Sequence, residues 1–488
     1  MRFPRSGRDR AARAIVLGGL AFLASNLEIA GCAHGSSREP RELPVTEPPN
    51  LLSLMDSAGI PGLAMAVLED GEIAFSKGFG VRSVGDERPV DENTVFEAAS
   101  LSKPVVAYIV LEMVDEGLLD LDRPLVDYAD IPELPDARGK RITARMVLSH
   151  TTGLQNERIG DERLALAFDP GQGFRYSGEG FLLLQRVLES ITGESLDSLS
   201  RRMVLDDLGM TRSGFVWRDD WADNAAVGHG DFESPRSRSR PATARASSSF
   251  QTSVHDYAAF LRTIVRREGL RSETFEQMIR PHVRAADGID WGLGWALETS
   301  NGARALWHWG DNSNSGFTAF AFIDPERRDG VVYFANSSTG LGIVREVLAI
   351  VDGSHAAPGF MGYESYDSPT RIVRHRLEES IRMDGVAAGL QLYARWKTEF
   401  DASAFPESLL NSLGYRFLAL NRPADAVALF ERNAREFPGS SNAYDSLGDG
   451  LVALGNKEAA IASYRKSHEL DPRNEHARRE AERLSAEP

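Results

Sequence analysis

The chain has 488 residues and a formal net charge of −16, with 55 Lys and Arg against 71 Asp and Glu. Such an acidic chain repels phosphate backbones, which argues against a nucleic-acid-binding protein. The one cysteine, Cys32, excludes an internal disulfide, and no Cys/His cluster has zinc-site spacing. We therefore expect no metal and no other cofactor. The length predicts two or three domains.

Residues 1–32 have the features of an export signal. Several arginines precede an apolar run of 11 residues, Ala14 to Ala24, which is too short to cross a hydrocarbon core of roughly 30 Å. Ile29-Ala30-Gly31-Cys32 resembles a bacterial lipobox, whose cysteine is lipidated; an ordinary signal with a chance cysteine is the alternative. We expect export to the periplasm of the bacterial cell envelope, a polar tether over residues 33–49, and membrane contact only through a lipid on Cys32.

The region that follows has predicted strands at both ends and helices between them. The apolar runs Leu63–Leu68 and Ile73–Phe79 flank Asp70-Gly71, a favoured two-residue hairpin turn. Helical apolar spacing predicts helices at residues 105–117 and 181–192. Four later segments, with turns that carry Asn301-Gly302 and Asp329-Gly330, predict antiparallel strands at residues 295–298, 305–309, 317–323 and 331–335. This order predicts an α+β domain over residues 50–355, with an antiparallel sheet shared by its terminal strands and flanked by a helical region.

The C-terminal region is repetitive. Five positions recur at one fixed offset along the chain, namely Leu413/Leu447, Gly414/Gly448, Ala426/Ala460, Phe430/Tyr464 and Pro438/Pro472. A period of about 34 residues with this residue set is typical of the tetratricopeptide repeat. We expect a linker over residues 356–370 and an all-α tail of tetratricopeptide-like repeats over 371–488, in which residues 371–404 form a degenerate helix pair. A plain helical bundle is the alternative.

Ser100 and Lys103 form a Ser-x-x-Lys motif. On a helix these positions share a face, so the amine can reach the hydroxyl. A serine is a poor nucleophile until a base takes its proton, and a lysine serves as that base only when its pKa is lowered. Ser463 and Lys466 have the same spacing in a predicted repeat helix, so the spacing alone is weak evidence. The apolar helix predicted after Pro104, which would bury Lys103, favours Ser100 as the functional serine.

Two further motifs carry side chains suited to a cleft. Tyr176-Ser177-Gly178 lies in a loop rich in Pro and Gly, where a phenol can relay a proton to a leaving group. His308-Trp309-Gly310 ends a predicted strand and is followed by Asp311. Each motif by itself is more often structural than catalytic. Residues 233–249, rich in Ser, Arg and Pro, are expected to form a solvated loop, with a basic rim beside the cleft as the alternative.

The three motifs, in this order, resemble those of the superfamily of class C β-lactamases, DD-peptidases and family VIII esterases. The resemblance covers about residues 50–350 and includes TVFEAASLSKP, EGLLDLDRPL, MVLSHTTGL, FRYSGEGF, DLGM and WGLGW. It implies a β-lactamase/transpeptidase-like fold for the α+β domain. It also implies that Ser100 is the acylated nucleophile, Lys103 its base partner and Tyr176 a second acid and base.

The same resemblance assigns the remaining site residues. It places His308 where β-lactamases carry a lysine, and it places the backbone N–H groups of Ser100 and Asp311 in an oxyanion hole. Substrate contacts are implied at Gly178, Trp309 and Gly310.

Two departures from the β-lactamase pattern bear on the substrate. Gly178 stands where β-lactamases usually have Asn, which removes an amide able to bind a substrate carbonyl. His308, with a reference pKa of about 6.5, holds a substrate carboxylate less well than a lysine does. We therefore expect a serine hydrolase that cleaves ester or amide bonds in small-molecule or peptide substrates, with β-lactams as poor substrates. A weak penicillin-binding protein, or a scaffold whose repeats dock a protein partner, is the alternative.

Overall fold

The computed structural model describes residues 50–158, 162–230, 233–300, 303–351 and 357–486. The predicted signal peptide, the lipidation site Cys32 and the tether lie outside these residues, as does the predicted boundary at residues 355–356. Within the described ranges, no helix is both long and apolar enough to cross a membrane.

Up to residue 351 the chain mixes strands and helices. They are, in chain order, α1 (Leu51–Ala58), β1 (Gly62–Glu69), β2 (Glu72–Ser83), β3 (Asp86–Pro89), β4 (Phe96–Glu97), α2 (Ser102–Asp115), α3 (Ala144–Leu148), α4 (Gly178–Thr192), α5 (Leu196–Ser200), β5 (His229–Gly230), β6 (Ser234–Pro235), β7 (Gln251–Thr252), α6 (Val254–Val265), α7 (Ser272–Ile279), β8 (Val283–Ala286), β9 (Ile289–Trp291), β10 (Ala296–Ser300), β11 (Ala303–Asn312), β12 (Phe317–Asp324), β13 (Asp329–Ala335) and α8 (Val344–Val351). A 3₁₀ turn, Ala99–Leu101, leads directly into α2.

Nine of the described strands form one antiparallel sheet, in the order β3-β2-β1-β13-β12-β11-β10-β9-β8. The first hairpin, β1 and β2, lies beside the last strand, because β1 pairs with β13 from Leu63↔Ala335 to Leu68↔Gly330. The predicted α+β domain, whose terminal strands share one sheet, is therefore confirmed.

Both faces of the central strands are buried. Along β1, Ala64 and Ala66 pack into one hydrophobic cluster with α2 and α6, whereas Met65 and Val67 pack into a second cluster with α1 and α8. This follows from the pleat, which points successive side chains to opposite faces. Helix α2 is buried on nearly every side, and its apolar sequence is what allows it to lie between the sheet and the helical region.

The described residues after 356 are helical. The helices are α9 (Ala357–Met361), α10 (Pro369–Asp384), α11 (Val386–Trp396), α12 (Glu407–Ala419), α13 (Pro423–Glu436), α14 (Ser441–Leu454), α15 (Lys457–Leu470) and α16 (Glu475–Ala486). The predicted all-α tail is confirmed by these helices.

The tail repeats in structure as it does in sequence. Helices α12 and α13 recur as α14 and α15, and the first residues of both pairs have the same offset as the five repeated sequence positions. In each pair a glycine lets an aromatic ring approach. A Cβ at Gly414 would lie 2.3 Å from the Phe430 ring, and one at Gly448 would lie 2.5 Å from the Tyr464 ring. The assignment of these hairpins to the tetratricopeptide family stays a prediction.

The predicted linker packs against the α+β domain. The N–H of Tyr366 donates to the Gly342 carbonyl at 3.3 Å, and Arg345 pairs with Asp367 at 3.1 Å. At the start of the tail, the Arg371 guanidinium donates to a carbonyl at the end of α1. Residues 357–368, which we call the connecting segment, are therefore held on the domain surface by polar contacts and by apolar packing against the second hydrophobic cluster.

Candidate active site

Ser100 lies in the 3₁₀ turn between β4 and α2. Ala99, directly before it, has a φ of 49°, in the left-handed region that residues with a Cβ rarely adopt. Ser102 Oγ fixes the turn, because it donates to the Ala99 carbonyl at 2.6 Å and accepts from the Phe250 N–H at 3.0 Å. The Ser100 side chain is thereby left partly exposed, while its neighbours Ala99 and Leu101 are buried.

Lys103, in the first turn of α2, is 1% exposed. Its Nζ lies 2.9 Å from Ser100 Oγ and donates a 2.8 Å hydrogen bond to the Ser247 carbonyl. The Tyr176 ring lies 4.9 Å from the same nitrogen. Burial lowers the pKa of Lys103 to about 7. A large fraction of the amine is thus neutral at neutral pH and able to accept the Ser100 proton.

Tyr176 and His308 complete the group around Ser100. The phenol oxygen lies 3.4 Å from His308 Nε2. Burial raises the pKa of Tyr176, and a hydrogen bond with Ser100 opposes that shift. His308 Nδ1 lies 2.8 Å from the Trp309 carbonyl, so we assign the proton to Nδ1, which leaves Nε2 to accept from the phenol. Burial and the nearby Lys103 charge lower the pKa of His308 to about 3, so this imidazole is neutral.

His150 supports the loop that carries Tyr176. The Ser177 N–H donates to His150 Nδ1 at 3.0 Å, and the two rings of His150 and Tyr176 lie 4.3 Å apart. Burial, with a smaller effect from the charge of Lys103, lowers the pKa of His150 well below its usual value. No role was predicted for this histidine from the sequence, although it stands in the stretch MVLSHTTGL.

The edge of β11 lies beside the Ser100 turn. Strand β10 pairs with β11 only as far as Ala296↔Trp307, so residues 308–312 extend past it. Gly310 permits the close approach, because a Cβ there would lie 2.2 Å from the Ala98 carbonyl oxygen. The backbone of Asp311 follows directly. The predicted oxyanion donors, at Ser100 and Asp311, thus lie on the two sides of this contact, and their role stays a prediction.

Glu97 is a buried carboxylate that links the Ser100 turn to the end of β11. It was not predicted from the sequence. It is 1% exposed. One carboxylate oxygen accepts from Asn312 Nδ2 at 2.9 Å and Ser315 Oγ at 2.8 Å, and the other accepts from the Ser239 N–H at 3.1 Å. Glu97 therefore ties the strand that leads to Ser100 to the turn that follows Asp311.

The three residues predicted to contact substrate, Gly178, Trp309 and Gly310, differ in their exposure. Gly178 is buried at the start of α4, and its N–H donates to Asn156 Oδ1 at 3.0 Å. A Cβ at Gly178 would lie 2.7 Å from the Asn156 carbonyl oxygen, so Asn156 occupies the space of the missing side chain. Trp309 is partly exposed and stacks near Tyr176, whereas Gly310 is buried against the turn.

The loop over residues 233–249 has two different parts. Much of its first half is exposed, as expected for a solvated loop. Arg238 departs from that expectation, since it donates to the Val95 carbonyl at 3.2 Å and lies over the Trp217 ring at 4.6 Å. Burial lowers the pKa of Arg238 to about 10, opposed by the Glu97 charge. The second half brings Ser247 to Lys103, a contact that no sequence motif indicates.

Together these residues place a serine hydroxyl, a buried amine, a phenol and a neutral imidazole close to one another. Within the described ranges, no group of three or more His, Cys, Asp or Glu side chains could hold a metal ion. The four residues predicted as catalytic, Ser100, Lys103, Tyr176 and His308, are brought together by α2, the loop before α4 and the edge of β11.

Proteins from three bacteria are similar to parts of this chain. Esterase EstB of Burkholderia gladioli is 32% identical over 185 residues, which are 32% of this chain and 47% of the esterase. Penicillin-binding protein 4 of Amycolatopsis lactamdurans is 31% identical over 170 residues, 32% of this chain and 44% of that protein. Protein flp of Staphylococcus aureus strain MRSA252 is 22% identical over 303 residues, 57% of this chain and 60% of that protein. The chain spans about half the length of these relatives.

Solved structures show the same fold. The octameric penicillin-binding protein homologue from Pyrococcus abyssi aligns with a TM-score of 0.55 and 23% identity, over 68% of this chain and 80% of that one. A class C β-lactamase aligns with a TM-score of 0.55 and 20% identity, over 62% of this chain and 95% of the enzyme. The predicted β-lactamase/transpeptidase-like fold is therefore confirmed.

The sequence model of one family, described as beta-lactamase, matches residues 50–350. The match includes the Ser100 turn, the Tyr176 loop and the His308 strand, and it ends before the helical tail. The chain therefore belongs to the β-lactamase family.

Proposed function

We propose that this chain is a serine hydrolase that cleaves carboxylic ester or amide bonds through an acyl-enzyme on Ser100. The observation that carries the proposal is the Lys103 amine, 2.9 Å from Ser100 Oγ, with a pKa lowered by burial to about 7. An amine that is partly neutral and in contact with the hydroxyl is the base that a serine nucleophile needs. Similarity to an esterase and to a penicillin-binding protein supports acyl transfer as the reaction class.

In the acylation step, Ser100 Oγ attacks the carbonyl carbon and its proton moves to Lys103 Nζ. The backbone N–H groups of Ser100 and Asp311 hold the oxygen of the tetrahedral intermediate. The bond to the leaving group then breaks, the Tyr176 phenol gives that group a proton, and Lys103 restores the phenol. Because the pKa of Tyr176 is raised, the phenol is protonated at neutral pH and acts as a relay.

In the deacylation step, water attacks the ester carbonyl of the acyl-enzyme. Lys103, neutral again after the leaving group has departed, takes the proton of the water through Tyr176. The bond to Ser100 Oγ breaks and the proton returns to that oxygen. The acid product leaves and the starting state is restored.

The site favours uncharged esters over β-lactams. With a pKa lowered to about 3, His308 offers no positive charge to a substrate carboxylate. Gly178 offers no side-chain amide to a substrate carbonyl. A chromogenic cephalosporin should therefore be hydrolysed much more slowly than p-nitrophenyl acetate. A penicillin adduct that persists in the intact mass, without ester turnover, would favour the penicillin-binding alternative.

The test is active-site labelling of the full chain. A fluorophosphonate probe should label the wild type, and p-nitrophenyl acetate should be turned over. Ser100→Ala should lose the label and lower turnover by about 10³-fold or more. Ser463→Ala, which removes the serine of the same spacing in α15, is the matched control and should keep both activities.

Labelling that survives Ser100→Ala, in a variant with wild-type circular dichroism, would overturn the proposal. So would a folded wild type that neither takes the label nor hydrolyses any activated ester.

A further inference from the structure

Partly exposed aromatic rings continue the site beyond Tyr176. Trp309 lies 5.2 Å from the Tyr176 ring, at an interplanar angle of 30°. Phe360, in α9, lies 6.1 Å from Trp309 and 6.4 Å from Phe174. Phe174, Trp309, Phe360 and Tyr363 are each partly exposed, and we call these four residues the aromatic wall. Two of them come from the connecting segment, outside the region that matches the family.

A buried layer holds the wall in place. Trp291 and Trp307 are fully buried. Trp291 lies 5.2 Å from Phe174, and Trp307 lies 5.6 Å from Phe360. The wall is thus a rigid surface that is already formed, and an apolar group bound on it requires little rearrangement of the protein.

Tyr363 ties the connecting segment to the edge of β11. Its hydroxyl donates to Asp311 Oδ2 at 2.5 Å. It also forms a hydrogen bond with the Trp309 side chain, and burial raises the pKa of Tyr363. The hydroxyl is therefore hydrogen-bonded to the residues on both sides of Gly310.

We propose that the aromatic wall is a subsite for an uncharged hydrocarbon or aryl acyl group, which deepens the proposed function and rests on it. Trp309 and Asp311 lie on the same strand edge, so an acyl group whose carbonyl is held by the Asp311 N–H is within reach of the wall. The half-buried rings offer that chain apolar surface to cover. The Asp311 carboxylate beside the wall, with no positive charge on His308, disfavours an acyl group that carries a carboxylate.

The test is the acyl preference of the full chain. The values of kcat and KM are measured for p-nitrophenyl acetate, hexanoate and phenylacetate. The wild type should prefer hexanoate and phenylacetate over acetate by about tenfold in kcat/KM. Phe360→Asn should remove most of that preference through KM and leave acetate within about twofold. Phe360→Leu, of similar size but apolar, should keep it.

Phe400→Ala is the matched control, because Phe400 is an aromatic side chain of the tail that is 42% exposed. Its acyl preference should equal that of the wild type. The proposal is overturned if Phe360→Asn keeps the preference, or if it lowers acetate as much as hexanoate. Fluorophosphonate labelling that depends on Ser100 in all variants shows that such a failure concerns the subsite alone. Labelling independent of Ser100 would instead remove the proposed function on which the subsite rests.

Discussion

Ser100–Lys103 and Ser463–Lys466 have the same spacing at or within a helix, yet their lysines lie in opposite surroundings. Lys103 is 1% exposed and its Nζ lies 2.9 Å from Ser100 Oγ. The Lys466 side chain is 40% exposed and pairs with Glu469 at 3.1 Å. In the tail it is Ser463 that faces the buried side, packed within the repeat.

The spacing only brings an amine within reach of the hydroxyl, whereas burial lowers the pKa of the lysine. In α2 nearly the whole helix is enclosed by the domain core, so the amine loses solvation and its pKa falls to about 7. Helix α15 buries one face only, and its lysine stays on the solvated face beside a carboxylate. The lowered pKa that the proposed base needs therefore comes from the tertiary fold and not from the motif.

Replacing each lysine is the strongest test of this comparison. Lys103→Met removes the base but keeps an apolar side chain of similar length, so kcat/KM for p-nitrophenyl acetate should fall about 10³-fold. Lys466→Met should leave kcat/KM within about twofold. Thermal unfolding should show that Lys103→Met is at least as stable as the wild type, because a buried amine is replaced by an apolar group.

Wild-type turnover in both lysine variants would contradict a catalytic role for the buried Lys103 amine. An equal loss of activity in Lys103→Met and Lys466→Met would contradict a role for burial, since Lys466 is exposed.

The pH dependence of kcat/KM tests the lowered pKa. The active form of Lys103 is the neutral amine, so the rate should rise with pH up to about 7 and be flat above it. At pH 5, two units lower, kcat/KM should be about 100-fold below the plateau. Because the pKa of His308 is lowered to about 3, its imidazole should add no inflection near pH 6.5. A rate that falls between pH 6 and 8 would contradict a lysine base.

Much of the fold could be predicted because its signals are local. Two apolar runs around Asp70-Gly71 predict the first hairpin, and the fixed offset between the repeated positions predicts where the tail helices recur. Ser100, Lys103, Tyr176 and His308 were found by motif and resemblance, and the structure brings them together. Their catalytic roles stay predictions.

The contacts that complete the site could not be predicted, because they join distant parts of the chain. Ser247 is 144 residues from Lys103, and Asn312 is 215 residues from Glu97. Tyr363 falls in a stretch that the composition marks only as a linker. No local spacing encodes such pairs, which depend on how the loop, the sheet and the connecting segment pack.

A substitution at Glu97 has the smallest expected effect on activity. The Glu97 carboxylate accepts hydrogen bonds from Asn312, Ser315 and Ser239. A glutamine at this position would place its NH₂ group, which is a donor, opposite at least one of these donors. We expect Glu97→Gln to lower kcat about tenfold with little change in KM, because the turn beside the Asp311 N–H shifts while the substrate surface stays.

Glu378 is the matched control in the tail, a buried carboxylate paired with Arg416 at 3.1 Å. Glu378→Gln should lower the stability of the tail, by about 1–3 kcal/mol, but leave kcat unchanged. If Glu97→Gln also lowers the melting temperature without changing kcat, then Glu97 has a structural role only, like Glu378 in the tail. A loss of kcat confined to Glu97→Gln would show that burial serves catalysis in the α+β domain and packing in the tail.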